Sequence, residues 1–454
     1  MKYKLLFIAL LSYSLNLYSA NPIILNKGVC DPHIHIFNGK AYVYATHDRS
    51  IENKNFAMDD WWIWSSDDLV SWKLESVLKP QDTYIGKSFS DCWATDAAYM
   101  NGKYYWYFSG GRENIGVVVG NTPVGPWKDI LGKPIVPSTI TPVAERDPAV
   151  FKDDDGVCHI IFGVFDFYMS QLNNDMTSLA TPPRKIVINN PIGPYGKDKT
   201  DDKPFMHKHN GLYYLSWGCF YAVSKNLYGP YDYVGSVISK ESFVPGDQNE
   251  YKRFDKGSSA NNNLYKPLYD RHGSFFELNN QTYFAYNDLS TTNNGYFRNT
   301  FISYIHYKND GEIAPIRVDE IGVGEYDASQ NKIEAEDYFK AKGIKKEECL
   351  EGGFMVSFIE NKSFIEFPNI KGLEKKSKIT IRASLDKSDK VILEVHESSP
   401  KGKLIKTCNI IGSDGQFKDY IFELPKIKEA KNLCFVYKSN SNFTKFQWNW
   451  FSFK

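Results

Sequence analysis

Apolar and polar residues alternate with a period of two along most of this chain, and almost nowhere with the 3.6-residue period of a helix. The clearest stretch runs from Cys30 to Tyr44. Residues 32–37 predict a strand, Asn38-Gly39 a hairpin turn, and Lys40 onward the return strand. The pattern recurs at Ala94 to Tyr105 with its turn at Asn101-Gly102, and at Asp147 to Phe151 with a turn at Asp155-Gly156. It recurs again at Lys203 to Tyr214 with Asn210-Gly211, and at His272 to Phe284 with Asn279-Asn280. A second repeat keeps step with the first: Trp61 to Trp72, Ile115 to Trp127, and Tyr221 to Tyr231.

Five hairpins at a period of roughly 50 to 70 residues predict a repeat architecture. A lone hairpin cannot bury both faces, whereas a ring of sheets can, so the pattern predicts a five-bladed β-propeller over residues 21–326. Aligning the turns puts Asp31, Ala94, Asp147, Lys203 and His272 in one column, at the start of the inner strands and near the axis. Packing gives no reason to gather charges there, so the column predicts a site. After 326 the texture changes. Residues 327–331 predict a linker, and 332–454 predict a β-sandwich of jelly-roll type from many short alternating strands. The polar stretch 240–266 predicts a loop insertion over the mouth.

Composition narrows the function. Of 454 residues, 54 are basic and 54 acidic, so no charge excess argues for nucleic acid or an anionic membrane. No protein partner is evident. Residues 1–20 predict an export signal: Lys2 and Lys4, an apolar run from Leu5 to Leu17 too short to span a bilayer, then Tyr18-Ser19-Ala20. No Cys follows the cut, which argues against a lipid anchor. The expectation is a periplasmic or extracellular protein. The seven cysteines have no metal-ligand spacing and do not form an even framework. Cys30 and Cys92 both precede the column, and they are the pair that could bond. His33 and His35 share a strand face, which predicts packing rather than zinc. Asp96 lies two places beyond the column and predicts a structural role.

Residues 22 to about 325 resemble glycoside hydrolase family 43, five-bladed propellers that cleave glycosides with inversion. The resemblance rests on Asp31-Pro32, Trp93-Ala94-Thr95-Asp96, Gly125-Pro126-Trp127, Arg146 to Phe151, Pro204-Phe205 with Tyr213-Tyr214-Leu215, and His272-Gly273-Ser274. It implies an exo-glycosidase acting on α-L-arabinofuranosyl or β-xylosyl groups of polysaccharides or oligosaccharides, with no cofactor for catalysis. It also implies roles: Asp31 as general base, Asp147 as the carboxylate that orients the acid and raises its pKa, and Trp93, His272 and Arg298 as substrate contacts. Inversion requires an acid and a base about 6.5–9.5 Å apart, so that a water fits between sugar and base. Blades facing across an axial mouth can supply such a gap.

The acid departs from the family pattern. A Glu-Gly-Pro or Glu-Ala-Pro becomes Asp202-Lys203-Pro204, so the acid falls on Asp202, one methylene short. A shifted backbone, another acid or weak catalysis are the alternatives at this point. A galactosidase or galactofuranosidase on the same fold, or a non-catalytic sugar-binding propeller, are the alternative functions. Residues 332–454 resemble carbohydrate-binding module family 6 through Ile333 to Tyr338, Phe364 to Phe367 and Trp450 to Phe453. That resemblance implies a structural calcium at Glu334, Glu336 and Asn449, where Asn449 replaces an Asp. It also places Phe358 and Phe417 where sugar-stacking aromatics belong.

Overall fold

The computed structural model describes residues 20–193, 196–239, 271–288, 291–292, 294–316, 318–386, 390–428, 431–439 and 445–454. The expected export signal, apart from Ala20, and the expected insertion at 240–266 lie outside the described residues.

All five hairpins form in the expected register. Strands Val29–Phe37 and Lys40–His47 close with Phe37 opposite Lys40, and Asn38 (φ 53°) and Gly39 (φ 78°) take the two left-handed positions of the turn. Cys92–Met100 with Lys103–Gly110, Phe205–His209 with Leu212–Trp217, and Gly273–Leu278 with Gln281–Asp288 close in the same way. Ala149–Lys152 and Cys158–Phe162 close over a longer loop. Each hairpin gains a third strand, at Trp61–Ser66, Ile115–Gly120, Tyr168–Gln171, Phe220–Ser224 and Asn299–Ile305. These sheets are blades 1 to 5 in chain order.

Side chains and backbone tie each blade to the next, all the way round. Tyr44 Oη donates to Pro123 O (2.6 Å) between blades 1 and 2, and Asp147 N to Ser109 Oγ (2.9 Å) between 2 and 3. Lys208 Nζ pairs with Asp153 (2.9 Å) between 3 and 4, and the His207 and Phe275 rings stack at 4.1 Å between 4 and 5. Ile34 N donates to Ser274 Oγ (2.8 Å) and closes blade 5 onto blade 1. The chain start also lies on blade 5: Ile23 N reaches Thr300 O and Asn21 Oδ1 accepts from Ile302 N. The ring is therefore closed among the described residues.

The second unit is a sandwich of two mainly antiparallel sheets around Ile365, Phe367, Phe435, Trp448 and Phe451, each fully buried. At about 1.5–3 kcal/mol per buried large apolar side chain, this core supports the unit. The linker is shorter than expected. Tyr326–Asp327 pairs in parallel with Phe364–Lys371, so residue 327 already belongs to the sandwich, held by the backbone bonds that the pairing provides. Blade 5 docks on this unit through polar contacts. Gln281 Nε2 donates to Glu336 O (2.7 Å) and Tyr338 O (3.0 Å), and Tyr338 Oη donates to Asn280 O (2.7 Å).

Cys30 and Cys92 do not bond. All seven cysteines are free and buried. Cys30 Sγ turns to Thr46 O and Cys92 Sγ to Phe89 O, each within its own blade's surroundings.

Candidate active site

The five column residues line one cavity. Asp31, Ala94, Asp147, Lys203 and His272 meet there, joined by Asp202, Arg146, Arg298, Trp93, Phe56 and Met58, around a volume of ≈110 Å³. Plain strand alternation would not aim them all inward. In blade 1 the register shifts between Cys30 and His33, and in blade 2 between Trp93 and Thr95. Asp31 (φ 52°), Asp147 (φ 60°) and Lys203 (φ 53°) sit in the left-handed region, which non-glycine residues enter at a cost. Such strain, of order 1–3 kcal/mol each, persists where surrounding structure over-determines it, and it gathers at sites.

Asp31 is buried and heavily solvated by protein. Its Oδ1 lies 2.5 Å from His272 Nε2 and accepts from Arg298 Nη1 (2.8 Å) and Asn287 Nδ2 (3.0 Å). Its Oδ2 has a longer contact, 3.4 Å from Arg298 Nη2. Asn287 Oδ1 also takes the Asp31 N–H (2.7 Å), so one amide fixes both main chain and side chain. Asp48 anchors Arg298 in turn, accepting from Nε and Nη2 at 3.0 Å each. Burial alone would raise the Asp31 carboxyl, but Arg298, Lys203 and His272 outweigh it and hold it well below the usual carboxylate range.

Asp147 goes the other way. Burial first, and then the Asp202 charge, push it up to about 6 against the pull of Arg146 and Lys203. Arg146 bridges the two acids, with Nε 3.5 Å from Asp147 Oδ2 and Nη2 3.7 Å from Asp202 Oδ2. Asp202 is the more exposed of the pair, at 32% against 5%. One buried carboxylate is thus kept ionised and another tends to hold a proton, which is the division of labour that acid–base catalysis needs.

Of the expected substrate contacts, His272 and Arg298 reach the cavity chiefly as partners of Asp31. Trp93 forms a wall, with the Arg146 guanidinium 4.9 Å over its ring. Asp96 is structural, as expected. It stands 3.0 Å from His33 Nδ1 and 2.6 Å from His35 Nε2, and accepts from Val150 N at 2.5 Å, so it clamps blades 1, 2 and 3. Sequence reasoning missed Asp48, Asn287 and Arg146. Arg146 adjoins a column residue and could have been found there, whereas Asp48 and Asn287 carry no local signal.

In the sandwich, Glu334, Glu336 and Asn449 do line one cleft, together with Lys332, Glu351 and Arg382. Among the described residues, no three His, Cys, Asp or Glu are grouped to hold a metal ion. Two carboxylates and an amide oxygen remain as a donor set. Glu336 Oε2 is buried without a hydrogen-bond partner, and burial, Asp337 and Glu334 push the Glu336 carboxyl well above its ordinary value. A cation would relieve that cost, so the residues fit calcium. Asn449 currently gives its Nδ2 to Glu351 Oε2 (3.0 Å). Phe358 is not a sugar platform. It is 3% exposed and packs among Tyr437, Phe446 and Trp448, while Phe417 is half-buried.

Both units of the chain are similar to known proteins. A family model described as glycosyl hydrolases family 43 matches residues 19–313, and one described as carbohydrate binding module (family 6) matches residues 334–454. An arabinoxylan arabinofuranohydrolase of Paenibacillus polymyxa is 27% identical over 397 residues, which is 75% of this chain and 58% of that protein. A xylosidase/arabinosidase 43A of Humicola insolens is 33% identical over 277 residues, 48% of this chain and 82% of that protein. A crystal structure of a family 43 arabinoxylan arabinofuranohydrolase from Bacillus subtilis, in complex with cellotetraose, superposes with a TM-score of 0.54 at 22% identity, over 96% of this chain and 98% of that one.

Proposed function

This chain belongs to glycosyl hydrolases family 43, and on that premise we propose that it removes single α-L-arabinofuranosyl or β-xylosyl groups from polysaccharides or oligosaccharides with inversion. The observation that carries the reading is the convergence of Asp31, Asp147 and Asp202, from blades 1, 3 and 4, on one cavity. At ≈110 Å³ the cavity is small. That is the scale of one sugar ring rather than a chain, which suits removal of terminal or side groups.

In this reading Asp31 is the base. Oδ1 is occupied by three donors, so Oδ2 takes the proton of the attacking water. A carboxylate held ionised is a weak base. It serves here because the transition state is oxocarbenium-like and needs little push from the water. Asp202, at the exposed side of the pair, hands a proton to the leaving oxygen. Asp147 keeps that proton at hand, and Arg146 sets the spacing of the two acids.

The test uses the leaving group. In Asp202→Asn, hydrolysis of an unactivated xylo-oligosaccharide or arabinoxylan should fall about 10²–10⁴-fold, while an aryl glycoside with a good leaving group should lose far less. Equal losses on both would contradict Asp202 as acid.

Two further parts of the reading are proposals of the same kind. Residues 1–20 direct export, checked by sequencing the N-terminus of protein recovered outside the cytoplasm. Glu334, Glu336 and Asn449 hold a structural calcium. Chelation should then lower the melting temperature of the wild type and leave that of Glu336→Gln unmoved.

A further inference from the structure

Lys203 is the one charged column residue to which neither the resemblance nor the base and acid roles give a task. It is 4% exposed, in a left-handed backbone conformation at the start of blade 4, and it lines the cavity. Its Nζ donates to Asp31 O at 3.2 Å and stands 4.0 Å from Asp31 Oδ1. A buried ammonium is costly unless paired, and Asp31 is the acid that stands beside this one. Its stem crosses from blade 4 to the main chain of blade 1, 172 residues away in sequence.

We propose that Lys203 is a positioning residue: its ammonium ties blade 4 to the Asp31 main chain and supplies charge that keeps the Asp31 carboxylate an anion facing the cavity. The inference rests on the reading of Asp31 as the base. The left-handed Asp31 backbone directs the side chain inward, and the Nζ contact to its carbonyl is one of the restraints that hold it there. Other groups facing Asp31 are Arg298, just before the third strand of blade 5, His272 and Asn287 on the same blade, and the acids Asp147 and Asp48, with Cys30 beside it. Arg298 shares its charge between Asp31 and Asp48. Lys203 therefore adds a second cation beside Asp31. The same ammonium also draws Asp147 downward.

The sign follows. Removing the Lys203 charge weakens the stabilisation of both anions, so both limbs of the pH profile should move to higher pH. The experiment compares kcat/KM against pH on an aryl glycoside for wild type, Lys203→Met, Lys203→Arg and Asp31→Asn, with a melting curve for each. Lys203→Met should shift the acidic limb upward by about one pH unit, the scale of one nearby charge, and lower kcat about tenfold or more with a smaller change in KM. Lys203→Arg should return the limbs to their wild-type place. A folded Lys203→Met with wild-type limbs, or a Lys203→Arg shifted as far as Lys203→Met, overturns the proposal. If Lys203→Met gives no melting transition, Lys203→Gln replaces it and the same shift decides. An active Asp31→Asn would overturn the base itself. An inactive one with unshifted Lys203 variants would overturn the role of Lys203 alone.

Discussion

Three donors converge on Oδ1 of Asp31, and each comes from blade 5: His272, Asn287 and Arg298. Such a carboxylate stays ionised to low pH, so the acidic limb of the activity profile should lie below the usual carboxylate range. Asp147 sets the other side. Its carboxyl, raised to about 6 by burial and Asp202, is protonated below that pH and loses its proton above it. Activity should therefore fall as pH rises through about 6. Asp147→Asn removes the like charge beside Asp202, and the basic limb should move to lower pH; a limb left in place would contradict the coupling. At this scale the sequence placed Asp31 and Asp147 together, because turn alignment marks equivalent positions, whereas Asp202 came from the family resemblance. It could not show Asp48 and Asn287. Each acts through a partner some 250 residues away, at 3.0 Å and 2.7 Å, and no local pattern encodes that. It also left Lys203 without a role, since the family pattern has a small neutral residue at that position.

The elements were the most legible part. Asn-Gly turns and period-two alternation fix both the existence and the register of a hairpin, and four of the five turns carry Asn at their first left-handed position. The bulges at Cys30 and Trp93 were not legible, because an extra residue in a strand leaves the alternation intact on either side. Gly273 shows how tightly blade 5 is set. A Cβ there would lie 1.8 Å from the backbone oxygen of Ala285, which cannot rotate away. Gly273→Ala should destabilise the protein by about 1–3 kcal/mol, as an overpacked core position does, and differential scanning calorimetry reads it. Asp96 clamps three blades at once, and its carboxyl is held well below the usual range by His33 and His35 despite burial. Asp96→Ala should cost about 3–5 kcal/mol, the loss expected when one member of a buried charged cluster is removed. Retention of wild-type stability would mean the clamp is idle.

Across the whole molecule, five blades and a sandwich act as supports for one small cavity. The docking of blade 5 on the sandwich includes Lys346, whose Nζ donates to Gln281 Oε1 (2.5 Å) and stands 3.2 Å from His306 Nδ1, while His306 Nε2 lies 2.9 Å from Asp337. Burial lowers Lys346 to about 8 against the pull of Asp337 and Glu336. Lys346→Met removes the Lys346 link between the units and leaves Gln281 Oε1 only the neighbouring Thr282 N–H (3.2 Å), and protease should cut between the units sooner than in the wild type. The two-unit division was readable from the change in texture near 326, but the docking was not, since its contacts join residues far apart in the chain. The central claim is that blades 1, 3 and 4 bring a base and two coupled acids to a single sugar-sized cavity. Asp31→Ala assayed on an aryl α-L-arabinofuranoside and an aryl β-xyloside, with and without azide, tests it most directly. The account predicts loss of hydrolysis by about 10²–10⁴-fold and, with azide in the vacated space, formation of a glycosyl azide of inverted configuration. Hydrolysis at the wild-type rate in Asp31→Ala, or an azide product of retained configuration, would contradict it.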